Sequence, residues 1–177
     1  MSDDPAGPTG EADLPAAPPR RGSATPATKA LGTAGIPYAL HPYPHDPESS
    51  AYGAEAAEKL GVDPKRVFKT LVAEVDSDLV VAVVPVSGKL DLKALAAAVG
   101  GKRAAMVDPV RAERATGYRI GGISPLGQKR QLPTVIDESC LRFPSVLVSA
   151  GRRGLDLEVM PQRLIDILNA RLAPIGR

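Results

Sequence analysis

Two histidines, one cysteine, a lysine within an apolar run and two glycine-bearing loops are the parts of this 177-residue sequence with chemistry to offer. His41 and His45 stand in the stretch His41-Pro42-Tyr43-Pro44-His45-Asp46. Imidazoles suit acid–base work near neutral pH, but no third ligand and no local Ser or Cys nucleophile accompanies this pair. Structural or hydrogen-bonding roles are expected for both. Cys140 has only Arg142 nearby to lower its pKa, which favours a packed or surface thiol over a nucleophile. One cysteine and two histidines are too few soft ligands for a structural zinc site, so neither a metal nor another cofactor is expected.

Lys69 is different. The run Val67 to Val75 reads as a strand in which Lys69 shares a face with Val67, Leu71, Ala73 and Val75. An unpaired ammonium is costly to bury, so such a lysine either snorkels to the rim or meets a ligand. The stretch Gly121-Gly122-Ile123-Ser124-Pro125-Leu126-Gly127-Gln128-Lys129-Arg130 cannot form a regular strand or helix, yet apolar Leu132, Val135 and Ile136 follow it. Glycine lets backbone N–H groups approach a ligand or a neighbouring backbone closely. The loop is therefore either tightly packed on its own sheet or one wall of a binding site. In Ser149-Ala150-Gly151-Arg152-Arg153-Gly154-Leu155-Asp156, two guanidinium groups lie between glycines. They form a solvated turn or present themselves to phosphate or carboxylate.

The elements that must position these groups follow from local signals. Thr25-Pro26 caps and opens a helix ending near Gly32 or Gly35; Ser49 or Ser50 caps another that runs to Gly61. Tyr38 to Tyr43 suits an edge strand because prolines 42 and 44 interrupt its donors. Leu79 to Val86 is apolar almost throughout and fits a central strand buried on both faces. Asp91 caps a helix carrying Leu92, Leu95, Ala96 and Val99, and Asp108-Pro109 opens the next, which Gly117 ends. Arg103–Val107, Leu132–Ile136, Val146–Ser149 and the alternating Leu155, Leu157, Val159 supply further strands. Pro161 begins a terminal helix whose stripe is Leu164, Ile165, Leu168 and Leu172. Residues 1–24, with five prolines and Leu14 as their one large aliphatic, are expected to be a disordered tail, and residues 25–177 one mixed α/β domain.

Charge bounds the partners. The tail holds four acidic and two basic groups, leaving 20 basic and 16 acidic in the remainder. A net +4 allows a polyanion held at a local site and argues against a protein that coats nucleic acid. No apolar run approaches a membrane span and the N-terminus lacks a signal-peptide layout, so a cytoplasmic protein with no membrane partner is expected.

The ordered motifs Lys69-Thr70-Leu71, Pro85-Val86-Ser87-Gly88-Lys89-Leu90-Asp91, Gly117-Tyr118, Gly121 to Gly127 and Ser149 to Asp156 resemble the YbaK/EbsC family over roughly residues 25 to 172. These are Cys-tRNA(Pro) deacylases related to the editing domain of bacterial prolyl-tRNA synthetases. The resemblance implies an α/β fold with a mixed, partly closed, barrel-like β-sheet flanked by helices. It implies hydrolysis of cysteine mischarged onto tRNA(Pro), with Cys-tRNA(Cys) or another misacylated tRNA as alternatives, and help from prolyl-tRNA synthetase. Such correction answers a physical limit, since a slightly smaller side chain is rejected by only about 10- to 200-fold through contact energy.

The resemblance makes Lys69 the leading functional residue and puts Tyr43 and Tyr52 near the pocket that takes the 3′ aminoacyl-adenosine end. With no protein nucleophile, it implies attack by the substrate's own thiol through a thiolactone, which needs only orientation and a stabilised oxyanion. Backbone N–H groups at Gly121, Gly122 and Gly127 are the candidates for that stabilisation, and Ser124 for the substrate amine or carbonyl. Thr70, Ile123, Pro125, Ser149, Gly151, Arg153 and Asp156 complete the expected substrate-binding set. A binding module that holds a nucleotide or tRNA end without catalysis is the competing class.

Overall fold

A computed structural model describes residues 24–177; the expected tail, residues 1–23 in particular, lies outside the described residues. The chain runs α1 (Pro26–Ala34), β1 (Ala39–Pro42), α2 (Tyr52–Leu60), β2 (Phe68–Val75), β3 (Asp78–Pro85), α3 (Leu92–Ala98) and β4 (Ala104–Met106). It continues through α4 (Pro109–Thr116), β5 (Thr134–Asp137), a 3-10 turn (Glu138–Arg142), β6 (Val146–Arg152), β7 (Leu155–Val159), α5 (Pro161–Leu168) and β8 (Arg171–Ala173). The result is a mixed α/β domain with two sheets. One has the order β1-β7-β6 and is antiparallel; the other, β4-β2-β3-β5-β8, combines antiparallel β2 with β3 and β4 and parallel β3, β5 and β8.

Local chemistry explains most boundaries. Thr25 accepts from Thr28 N–H, Asp91 from Ala94 N–H and Asp108 from Arg111 N–H, each satisfying an orphan donor at a helix start. Gly35, Gly61 and Gly117 close α1, α2 and α4 in the left-handed conformation. Two expectations are corrected. Ala51, not Ser49 or Ser50, is the N-cap of α2, and no side chain caps it. The α5 stripe stops at Leu168 because Asn169 takes φ 47°, so Leu172 sits in β8 and is exposed.

The expected barrel closure is also corrected: neither sheet closes. They meet at a single parallel bridge, Val67 to Leu147, with Leu147 N–H donating to the Arg66 carbonyl at 3.0 Å. Prolines at 42 and 44 remove donors beside β1, and β4 and β8 are three residues each, too short to carry a ladder round.

β3 is the central strand, and its two faces build two cores. Val81 and Val83 join Phe68, Val72 and Ile136 against the inner face of the three-stranded sheet, beneath α1 and α5. Val80, Ala82 and Val84 pack with Leu95 of α3 and with Ile175. A small third cluster, Ala57, Val67 and Leu147, fills the junction of the two sheets. Fully burying a Val or Leu contributes about 1.5–3 kcal/mol, so the sheets form a stiff frame on which loops are held. Among the described residues no helix is long and apolar enough to cross a membrane.

Candidate active site

At that junction α2, the start of β2, the Ile120–Ile123 segment and the outer face of β6–β7 surround a cavity of about 370 Å³. Gly53 makes the approach possible: a Cβ there would meet Val86 Cγ1 at 2.4 Å, so only glycine lets the first turn of α2 sit against the end of the β2–β3 hairpin. The cavity wall includes Tyr43, Tyr52, Lys69, Thr70, Gly121 and Ile123, together with Ser149 and Asp156. Eight of the sequence-derived site residues thus come to one place.

Lys69 points its ammonium at a backbone carbonyl, donating to Gly88 O at 2.9 Å, and forms no ion pair among the described residues. Burial and then the charge of Lys89 hold its pKa below the ordinary lysine value. Gly88 is itself fixed by the C-terminal residues, since Lys89 and Arg177 exchange both backbone hydrogen bonds at 2.8 Å. The next residue, Thr70, carries a buried Oγ1 with no hydrogen-bond partner among the described residues. An unpaired buried hydroxyl costs about 1–3 kcal/mol, a cost that a bound water or ligand group would remove.

Asp156 lies opposite Ser149 on paired strands and opposite His41 on the other side. The residue is 5 % exposed, and its carboxyl accepts no hydrogen bond from the described residues. Burial pushes its pKa up to about 6, against a smaller pull from His41. Tyr43, also buried, is pushed up to about 12 by desolvation, with Asp156 and Glu55 adding to the rise. Gly121 and Ile123 line the wall, and neither backbone N–H donates a hydrogen bond among the described residues.

The mouth is built by stacking. Tyr52 lies against Gly121, where a Cβ would fall 2.6 Å from its ring, and Arg153 Cζ stands 4.8 Å from the ring centroid. Arg153 Nε donates to Ile120 O at 2.8 Å. A β-bulge between Ser149 and Arg152 turns this hairpin toward the Ile120 segment, and Gly151, at φ 108°, packs on Tyr118 beside Thr25.

The other loop residues lie behind the wall. Ser124 is fully buried; its Oγ accepts from Leu126 N–H at 3.3 Å and its carbonyl from Gln128 Nε2 at 3.0 Å. Pro125 is buried beside it. Gly122 donates its N–H to Arg119 O and lies on the Arg152 backbone, while Gly127, at φ 65°, lies on the Pro26 carbonyl. The Tyr118 hydroxyl donates to Leu126 O at 2.6 Å and ties the loop to the core. The two readings of this loop therefore divide along its length: Gly121 and Ile123 line the cavity, Gly122 and Ser124 to Gly127 pack behind it, and Lys129 and Arg130 are exposed.

Both histidines are hydrogen-bonded to carboxylates outside the cavity wall. His41 Nε2 lies 2.8 Å from Glu158, whose other oxygen is 2.6 Å from Arg66, and His45 Nδ1 lies 2.8 Å from Glu55. Burial opposes the charge on Glu55, but hydrogen bonds from Lys59, the Asp46 N–H and His45 outweigh it and hold the carboxyl down at about 2. The Cys140 thiol is buried elsewhere, and burial, with Asp137 behind it, pushes it up to about 11. Among the described residues no group of three or more His, Cys, Asp or Glu is placed to hold a metal ion. Gly53 and Gly88 had no function assigned from the sequence; a glycine inside the first turn of a helix was the one available signal for Gly53.

A mixed α/β domain with a cavity of this make-up is a member of a described family: residues 46–167 match the aminoacyl-tRNA editing domain, and the chain belongs to it. It is 42% identical over 120 residues to EbsC of Enterococcus faecalis, named as a proposed Cys-tRNA(Pro)/Cys-tRNA(Cys) deacylase, covering 67% of this chain and 73% of that one. It is 31% identical over 121 residues to the proline–tRNA ligase of Moorella thermoacetica, covering 64% of this chain but 21% of the ligase. Among solved structures, a proposed trans-editing enzyme for prolyl-tRNA synthetase superposes with a TM-score of 0.77 at 27% identity, over 88% of this chain and 98% of the other.

Proposed function

We propose that this editing domain deacylates cysteine mischarged on tRNA(Pro), in trans and in the cytoplasm, with prolyl-tRNA synthetase helping to deliver the tRNA. The observation that carries the reading is the cavity's inventory. Its wall carries, among the described residues, a desolvated ammonium at Lys69, an unpartnered hydroxyl at Thr70, a buried carboxyl at Asp156 that accepts no hydrogen bond, and backbone N–H groups at Gly121 and Ile123 that donate none. Neither a histidine nor the cysteine lines it, and no hydroxyl of its wall is hydrogen-bonded to a general base among the described residues.

Such a site binds and polarises an ester but lacks its own nucleophile. The substrate thiol supplies one: sulfur attacks the ester carbonyl, the acyl C–O3′ bond breaks, the thiol proton passes to the departing 3′ oxygen to give the free 3′ hydroxyl, and water later opens the thiolactone to cysteine. Lys69 holds the terminal phosphate or ribose, the open N–H groups meet the developing oxyanion, and Asp156 receives the α-ammonium. A panel of preformed aminoacyl-tRNAs tests the assignment. Release of cysteine from Cys-tRNA(Pro) above the uncatalysed rate is expected; a chain that binds tRNA but hydrolyses no member of the panel would instead be a binding module.

Asp156 makes a second expectation. Its folded pKa, about 6, exceeds the ordinary 3.8, so the folded state binds more protons and stability falls as pH rises between those values. Above pH 6 the buried charge costs at most about 3 kcal/mol, which a bound ammonium offsets. Asp156→Asn should therefore raise the thermal midpoint at pH 7.5, flatten its dependence between pH 4 and 6, and still lower kcat/KM for deacylation. Thermal melts across pH 4–8 with parallel kinetics check this; an unchanged pH dependence would remove the carboxyl from the account.

A further inference from the structure

The two loops that frame the cavity mouth, residues 117–130 and 149–154, carry five cations, Arg119, Lys129, Arg130, Arg152 and Arg153, and no carboxylate. Residues 25–177 hold 20 basic and 16 acidic groups, so without these loops the segment would be net negative. The positive excess of the sequence is thus local. All five are exposed, and none forms an ion pair among the described residues. A cluster of exposed like charges beside a cleft focuses a field that attracts an anion.

Backbone packing ties four of the five into one rim, and Arg130 follows Lys129 directly in the chain. Gly122 N–H closes a turn on Arg119 O at 2.9 Å, and a Cβ on Gly122 would fall 2.7 Å from Arg152 Cα, so Arg119 and Arg152 emerge from adjoining backbones. Lys129 N–H donates to Thr116 O at 2.9 Å, and its Cβ lies 3.4 Å from the Cβ position of Gly117, two residues before Arg119. Arg153, held over Tyr52, joins the rim to the mouth. Glu113, at the end of α4 before the first loop, accepts from Ile120 N–H at 2.9 Å and is engaged there. The close approach that takes Gly122 out of the cavity wall is the same one that brings Arg119 and Arg152 together.

We propose that this rim docks the phosphate backbone of the acceptor stem whose 3′ end enters the cavity, with Arg119, Lys129, Arg130 and Arg152 meeting phosphates outside the chemical site. This rests on the deacylase reading, since the cavity fixes where the stem must start. Phosphate contacts position a nucleic acid without reading its sequence, which suits a domain that is offered the same stem with different amino acids.

The test compares the wild-type chain with a variant carrying Arg119→Ala, Lys129→Ala, Arg130→Ala and Arg152→Ala on two substrates, full-length Cys-tRNA(Pro) and a cysteinylated CCA trinucleotide, across a series of KCl concentrations. For tRNA the variant should lose at least 10-fold in kcat/KM at low salt, and its slope of log kcat/KM against log salt should become shallower by about 0.7–0.9 for each phosphate no longer neutralised. Cleavage of the trinucleotide should be unchanged, and a quadruple lysine/arginine exchange at the same positions should retain most of the tRNA rate. An unaltered tRNA rate and salt slope would overturn the proposal, as would an equal loss on both substrates, which places the effect in the cavity. If the wild type cleaves neither substrate, it is the deacylase reading that fails, and binding of uncharged tRNA by fluorescence anisotropy then decides the rim: weaker binding by the variant supports it, and equal binding overturns it.

Discussion

Lys69→Ala is expected to lower the single-turnover rate of Cys-tRNA(Pro) deacylation by at least about 100-fold while the thermal midpoint stays near that of the wild type. The size follows from the charge. A unit charge about 4 Å from a phosphate or developing oxyanion contributes roughly 4 kcal/mol at an effective dielectric near 20, or close to a thousandfold. The tolerance of the fold follows from what the ammonium does not do. It pairs with no carboxylate among the described residues, gives one hydrogen bond to Gly88 O, and is already disfavoured by burial. Removing it relieves a desolvation cost and leaves β2 held by its full pairing with β3. Lys69→Arg is the informative companion, because a planar guanidinium keeps the charge but cannot reproduce a compact ammonium beside Gly88. Wild-type activity in the alanine variant would remove the lysine from the chemistry.

The elements around Lys69 were legible because each is written in short-range code. Side-chain caps at Thr25, Asp91 and Asp108, glycines at 35, 61 and 117, and the unbroken apolar run of β3 require no knowledge of distant residues. Boundaries without such a code were misplaced. The α2 start has no side-chain cap to announce it, and Asn169 ends α5 in a left-handed conformation that more often calls for glycine. Closure of the sheet depends on long-range pairing of β2 with β6, which amounts to one bridge and has no local signature.

The site was legible in part, for a similar reason. Glycine composition marked the Gly121–Arg130 loop, but its glycines answer three different neighbours: Gly121 the ring of Tyr52, Gly122 the backbone of Arg152, and Gly127 the carbonyl of Pro26. Only tertiary structure separates a glycine that admits a ligand from one that admits another strand or helix. The partner of Lys69, a carbonyl 19 residues away, and the orphaned hydroxyl of Thr70 are likewise visible only in three dimensions. Two clustered histidines and one cysteine suggested no nucleophile-and-base set in the sequence, and among the described residues none of the three lines the cavity.

The proposed mechanism makes the amino acid part of the catalyst. A thiol two bonds from the α-carbon is tethered near its own carbonyl and is far more nucleophilic than a hydroxyl at neutral pH, so the protein needs only to orient the ester and neutralise charge. Serine preserves the size and tether of cysteine and removes the sulfur; alanine removes the nucleophile altogether. The direct measurement is the single-turnover deacylation rate of tRNA(Pro) charged with cysteine, serine or alanine, at saturating enzyme and fixed pH. Cleavage of the cysteine ester at least about 100-fold faster than the serine ester, with the alanine ester near its spontaneous rate, is the predicted result. Equal rates for all three would mean that water attacks the ester and would contradict the account.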